Sequence, residues 1–146
     1  MRVLVLNGPN LGELGRREPA VYGTLTHEDL TTACVTAGAE LGAAVDVRQT
    51  DDEATMLAWL HAASDEADAL ILNPAAWTHT SVALRDAAAS LTIPFIEVHL
   101  SNPLAREEFR HTSYTAGLAR GLIAGFGVQS YLLALRALVG PDGAGR

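Results

Sequence analysis

The sequence contains no lysine; all ten of its basic side chains are arginine. A lysine Schiff base is therefore excluded, as is a Walker-type phosphate loop, and the Met1 amine is the one group left that can form an imine. Cysteine is almost missing too. Cys34 is the single thiol, which rules out an intrachain disulfide and a cysteine-rich zinc site, and its alanine-rich setting suggests an inert core residue. Aromatics are scarce at 5% against a hydrophobic fraction of 49%, mostly Ala, Leu and Val, which favours alanine-rich α/β packing over an aromatic-rich β-sandwich. No apolar run approaches the roughly twenty residues of a membrane span, so no membrane partner is expected. There is no basic tract, and a net charge of −7 argues against nucleic acid as a partner. The N-terminus reads straight into a strand without a signal-peptide core, and a cytoplasmic location is expected.

What is present suits one domain spanning all 146 residues, long enough to bury a full core. The apolar run Val3–Leu6 opens into LNGPNLGELGRREPAVYG (Leu6–Gly23), a polar, glycine-rich loop carrying Asn7, Asn10, Arg16, Arg17 and Tyr22. Thr26-His27-Glu28-Asp29 resembles a capping box, with a helix to about Leu41 and Gly42 as its stop. Ala44–Arg48 alternates as a second strand, and Met56, Leu57, Leu60 and Ala63 recur at helical spacing through about Ala67. Ala69–Leu72 reads as a central parallel strand, followed by a polar loop Trp77–Ser81 and a helix from about Val82 to Leu91. Ile93–Leu100 is a fourth strand, Arg106–His111 a helical turn or two, Gly121–Phe126 a fifth strand, and Gln129–Val139 a closing helix before a frayed tail, Gly140–Arg146. This alternation predicts a flavodoxin-like five-stranded parallel sheet with helices on both faces, its ligands lying beyond the carboxyl ends of the strands.

That placement gathers the residues able to do chemistry. Glu97 and His99, two apart on a strand, share a face, and the carboxylate can fix one imidazole tautomer and support the charged form, as a general acid requires. A phenol needs a nearby cation to become a base at neutral pH, and Arg17 stands five residues from Tyr22 on a turning loop. Arg106 and Arg110, four apart and on one face if their segment is helical, form with Arg17 a basic mouth suited to an anionic small molecule, with ion pairing to Glu107, Glu108 or Glu13 as the alternative for Arg106. Ser101 and Asn102 offer donors of the kind that hold a carboxylate. His79, Glu97, His99 and His111 lack the spacing of a metal motif, and no GxSxG hydrolase signature is present. The residues themselves leave two readings open, an enzyme acting on a small anion and a noncatalytic flavodoxin-like module for a nucleotide or phosphate.

The ordered motifs LNGPNLGELGRREPAVYG, RQTDDE, ILNPAAWTHTSVALRDA, IPFIEVHLSNPLAREEFRHTSY and GFGVQSYLLAL resemble the type II 3-dehydroquinate dehydratases over about Arg2 to Leu138. The resemblance implies an anti elimination of water from 3-dehydroquinate to 3-dehydroshikimate through an enolate, a step of the shikimate pathway needing no metal or other cofactor. It implies Tyr22 as the base for the C2 proton, activated by Arg17 on a mobile lid. His99 protonates the leaving C1 hydroxyl, Glu97 orients His99, and Asn10 positions water or groups stabilising the enolate. Asn73, His79, Arg110, the Leu100/Ser101 backbone and the Ser101 hydroxyl hold the substrate, with Arg106 nearby and Asp86 arriving from a neighbouring subunit of a dodecamer built as a tetramer of trimers. Departures from the usual family sequence are Ala75-Ala76-Trp77 for a glycine-containing loop, Thr112 for a second His, Thr115-Ala116-Gly117 for Leu-Ser-Pro, and Ser130 for a frequent Gly.

Overall fold

The computed structural model describes residues 1–16 and 18–141, and the side chain of Tyr22 is outside that description. Among the described residues a single sheet holds β1 (Arg2–Asn7), β2 (Ala44–Gln49), β3 (Ala69–Asn73), β4 (Phe95–His99) and β5 (Gly121–Ala124), in the spatial order β2-β1-β3-β4-β5. All four pairings are parallel. This is the flavodoxin-like order, whose direction of winding reverses between β1 and β3 and leaves a crevice there at the carboxyl ends.

The burial pattern explains the order. β3 and β4 are buried at every residue, and β1 at every residue but its first, as continuous apolar strands covered on both faces must be. β2 and β5, at the edges, are only partly buried. One layer is formed by α2 (His27–Glu40) and α5 (Val128–Val139), which pack Leu30, Cys34, Tyr131 and Leu135 onto Val3, Val5, Ile71 and Val98. The other consists of α3 (Glu53–Glu66) and α4 (Val82–Ala89), which pack Met56, Leu60 and Leu84 onto Leu4, Leu6, Leu70 and Leu72. Cys34 is fully buried, and burial pushes its thiol up to about 12, as an inert core cysteine requires.

Local signals hold where they rest on side-chain chemistry. The Thr26 hydroxyl accepts from Asp29 N at 3.0 Å and the Asp29 carboxylate accepts from Thr26 N at 3.1 Å, a complete capping box. Elsewhere boundaries move. The expected loop before Tyr22 contains a 3-10 turn at Leu11–Glu13 and a four-residue helix, α1 (Pro19–Tyr22). The polar stretch after β3 is likewise a 3-10 turn, Ala75–His79. β4 starts at Phe95 rather than Ile93, and β5 stops at Ala124 because Gly125 turns to φ 94°. Arg106–His111 is not one helix: a 3-10 turn at Pro103–Ala105 precedes it, with Arg106 extended at its end, and a second at Glu108–Arg110 lies within it. Of the tail expected to fray, residues 142–146 lie outside the described residues.

Candidate active site

Where β1 and β3 part, their exit loops nearly touch. Gly8 N donates to Asn73 O at 2.9 Å, and a Cβ on Gly8 would sit 2.6 Å from Pro74 O, so only glycine allows this approach. The loop beyond Gly8 is tied to the exit of β2: Gln49 Nε2 donates to Gly8 O at 3.1 Å, and Asn10 N donates to Asp51 Oδ1 at 2.8 Å. The RQTDDE motif thus holds the floor of the crevice.

The crevice is lined from three strand exits. Pro9, Asn10 and Leu11 come from β1, Asn73, Ala75, Ala76 and His79 from β3, and His99, Leu100, Ser101, Pro103, Arg106 and Arg110 from β4. The two arginines converge although no helix carries them both. Arg110 also pairs with Glu107 at 3.0 Å, while Arg106 lies 3.4 Å from Ser101 Oγ and 3.7 Å from Glu18, which belongs to the long segment after β1. Glu107 is 3.9 Å from Arg106, so of the carboxylates considered as its ion-pair partners this one is in reach.

Glu97 and His99 meet as the strand alternation requires. His99 Nε2 is 2.9 Å from Glu97 Oε2, and the glutamate is completely buried. Burial alone would raise its pKa, yet hydrogen bonds from His99, Thr115 and Ser113 together with the His99 charge outweigh that and hold the carboxyl below its ordinary value. His79 Nδ1 donates to the Thr112 carbonyl at 2.7 Å, which fixes its tautomer through the backbone, so the change of side chain at 112 leaves this contact possible.

Under the crevice lies a neutral network that pattern reading missed. Asn73 Nδ2 donates to Tyr131 Oη at 2.8 Å, and Tyr131 Oη donates to Asn7 Oδ1 at 2.7 Å. Asn7 Nδ2 then lies 3.1 Å from His27 Nε2, which must accept and is therefore unprotonated. The other amide atom of Asn73 accepts from Ala75 N at 3.1 Å. Ala75 has φ 52°, a left-handed conformation that favours glycine, at the point where the sequence departs from a glycine-containing loop. Ser130, the departure in the closing helix, is buried and accepts from Phe126 N at 3.1 Å.

Eight of the twelve expected site residues, Asn10, Asn73, His79, His99, Leu100, Ser101, Arg106 and Arg110, line this one crevice. Glu97 stands directly behind His99. Asp86 is apart, exposed on α4 and paired with Arg85 at 3.1 Å. Arg17 and the side chain of Tyr22 lie outside the described residues. Among the described residues no cluster of His, Cys, Asp and Glu has metal-binding geometry, and no helix is long and apolar enough to cross a membrane.

A family model described as dehydroquinase class II matches residues 1–139. The chain belongs to the class II dehydroquinase family. It is 57% identical over 138 residues to a 3-dehydroquinate dehydratase of Salinispora tropica, covering 94% of this chain and 96% of that one. It is 59% identical over 136 residues to a 3-dehydroquinate dehydratase of Mycobacterium tuberculosis, covering 93% and 92%. The crystal structure of type II dehydroquinase from Propionibacterium acnes superimposes with a TM-score of 0.92 at 53% identity, over 94% of this chain and 95% of that one.

Proposed function

We propose that this chain is a type II 3-dehydroquinate dehydratase working as one catalytic domain. In this reading it removes water from 3-dehydroquinate in an anti elimination through an enolate, as a step of the shikimate pathway in the cytoplasm, without metal or imine. The observation that carries the reading is the His99–Glu97 pair, set behind a crevice that also collects Asn10, Asn73, Ser101 and two arginines at the winding reversal of the sheet. An anionic, hydroxylated small molecule matches that lining.

His99 is the acid. Its Nε2 is committed to Glu97, so Nδ1 is left to pass a proton to the departing C1 hydroxyl. Tyr22 takes the C2 proton, with the Arg17 charge favouring the phenolate. Asn10 positions water or the groups that stabilise the enolate. Asn73, His79, Arg110 and the Leu100/Ser101 segment hold ring hydroxyls and carboxylate, with Arg106 at the wall. Asp86, absent from the crevice of its own chain, serves a neighbouring subunit in a dodecamer of four trimers. Light scattering showing a stable, active monomer would remove that role.

The test is ultraviolet absorbance of purified protein mixed with 3-dehydroquinate, since elimination creates a conjugated enone carboxylate. Growth of absorbance that survives both a chelator and borohydride is the expected result. No growth from folded protein overturns the reading and directs attention to the altered Ala75–Trp77 loop.

A further inference from the structure

Glu97 is a carboxylate with no exposed surface, and a buried anion needs donors to stay charged. We propose that Ser113 and Thr115 are positioning residues whose hydroxyls hold the Glu97 carboxylate in place for His99. The inference rests on the reading of His99 as the acid and adds to it two residues outside the crevice lining, of which Ser113 borders the adjoining cavity with Glu97 and His99.

The hydrogen bonds around Glu97 place each proton. Ser113 Oγ lies 3.0 Å from both carboxylate oxygens, while it also accepts from Ala116 N at 3.0 Å and Thr115 N at 3.3 Å. Two backbone N–H groups therefore occupy its lone pairs, and its one proton is directed at Glu97. Thr115, whose hydroxyl also lies 3.4 Å from Ser113 Oγ, donates its proton to Glu97 Oε1, because an ionised carboxylate only accepts. His99 takes Oε2. Each carboxylate oxygen thus has its own strong donor, with Ser113 bridging both, the arrangement a buried anion needs to keep its charge and orientation.

The segment is fixed independently of these bonds, at one end to the 3-10 turn after β3 and at the other to β4. Tyr114 N donates to Thr78 O at 2.9 Å and Arg120 N donates to Phe95 O at 2.8 Å, so the stretch from 114 to 120 is anchored at both ends. The other charged or titratable groups around the pair are His79 from the turn after β3 and Arg110 and His111 from the turns after β4, with Arg106 across the crevice. The hydrogen bonds and the His99 charge, acting against burial, are what keep Glu97 below its ordinary range.

The experiment compares Thr115→Val, Ser113→Ala and Thr115→Ser in the full chain, following the Glu97 carboxyl carbon by NMR as pH is lowered and measuring kcat and KM. Thr115→Val and Ser113→Ala are expected to move the Glu97 titration upward by about one unit, a tenfold change in its protonation equilibrium. They are also expected to lower kcat by about tenfold or more with KM within about twofold. Thr115→Ser should restore both. A Glu97 titration that stays at the wild-type position in folded Thr115→Val and Ser113→Ala overturns the proposal. Failure of Thr115→Ser to restore it assigns the effect to packing and overturns the role of Thr115. Should Thr115→Val not fold, Ser113→Ala decides alone, because Ser113 is only partly buried. The titration reads the inference even if dehydroquinate is not turned over, so its failure and that of the proposed reaction are distinguishable.

Discussion

At the ends of β1 and β3 the buried polar groups are neutral, with Asn73, Tyr131 and Asn7 passing hydrogen bonds from one to the next, whereas within β4 the buried group is the anion Glu97. Both clusters lie beneath the same crevice and both have their groups paired. The neutral one is a chain, each member donating once to the next, and burial drives the Tyr131 phenol far above its ordinary value, so it remains an uncharged link. The charged one is a convergence, several donors on one carboxylate. A chain transmits orientation: Asn73 is held by Tyr131 on one side and holds the Ala75 backbone on the other. A convergence maintains charge. The first is suited to shaping a floor and the second to handling a proton.

The comparison breaks hardest if the charged side is removed. His99→Ala should lower kcat by about a hundred- to ten-thousandfold, the range expected for a general acid, measured by the absorbance assay. Stability should change far less, because Glu97 keeps Ser113 and Thr115. A kcat within about tenfold of wild type would remove His99 as the acid.

The neutral side should fail in the opposite sense. Tyr131→Phe keeps the ring in the α2/α5 layer but leaves Asn7 Oδ1 without its donor and Asn73 Nδ2 without its acceptor. Buried unsatisfied groups cost about 1–3 kcal/mol each, so the urea midpoint should drop clearly. The activity loss should be much smaller than for His99→Ala, and a variant as stable as wild type would show that the chain contributes little.

These two clusters also mark the limits of sequence reading. The Glu97–His99 pair was legible because a strand has a period of two and both residues follow a buried run. The capping box was legible because it is local chemistry written in four consecutive residues. The switch point followed from the alternation of strands and helices. Tyr131 was not legible as a polar partner: its place on α5 fits an ordinary core position, and Asn7 is 124 residues away in sequence. Ser113 and Thr115 sit in irregular chain without any period. Arg106 and Arg110 reach one crevice by way of two separate 3-10 turns rather than by helical spacing, which no period in the sequence reveals.

Acid titration should separate the clusters along the pH axis. His27, at the end of the neutral chain, has its pKa lowered by burial from an ordinary 6.5. The unfolded chain therefore binds this proton first, and stability should begin to fall as pH drops through about 6.5. Glu97 is lowered from 4.5, so the unfolded chain again protonates first, and its contribution is lost as pH falls below about 4.5 toward the folded value. Urea midpoints measured across this range should show two declines, the upper one absent in His27→Gln and the lower one reduced in Glu97→Gln, since Asp29, Asp52 and Glu107 are lowered as well. A single decline unaffected by either substitution would mean that neither cluster governs acid stability.

The smallest effect expected is a gain, and it tests how the neutral chain reaches the crevice. Ala75 holds φ 52° while its N–H donates to Asn73 Oδ1, so the amide bond and the left-handed strain coexist at one residue. A non-glycine residue in that region costs roughly 1–2 kcal/mol, and glycine relieves this while adding roughly 0.5–1 kcal/mol of unfolded-state entropy. Ala75→Gly should therefore stabilise by up to about 1 kcal/mol, read as a small rise in the urea midpoint. The gain should survive in Tyr131→Phe if the strain is set by the close approach of Gly8 to Pro74. It should shrink there if the Tyr131–Asn73 bond is what pulls Ala75 into place, because the loop of the weakened chain could then relax without glycine.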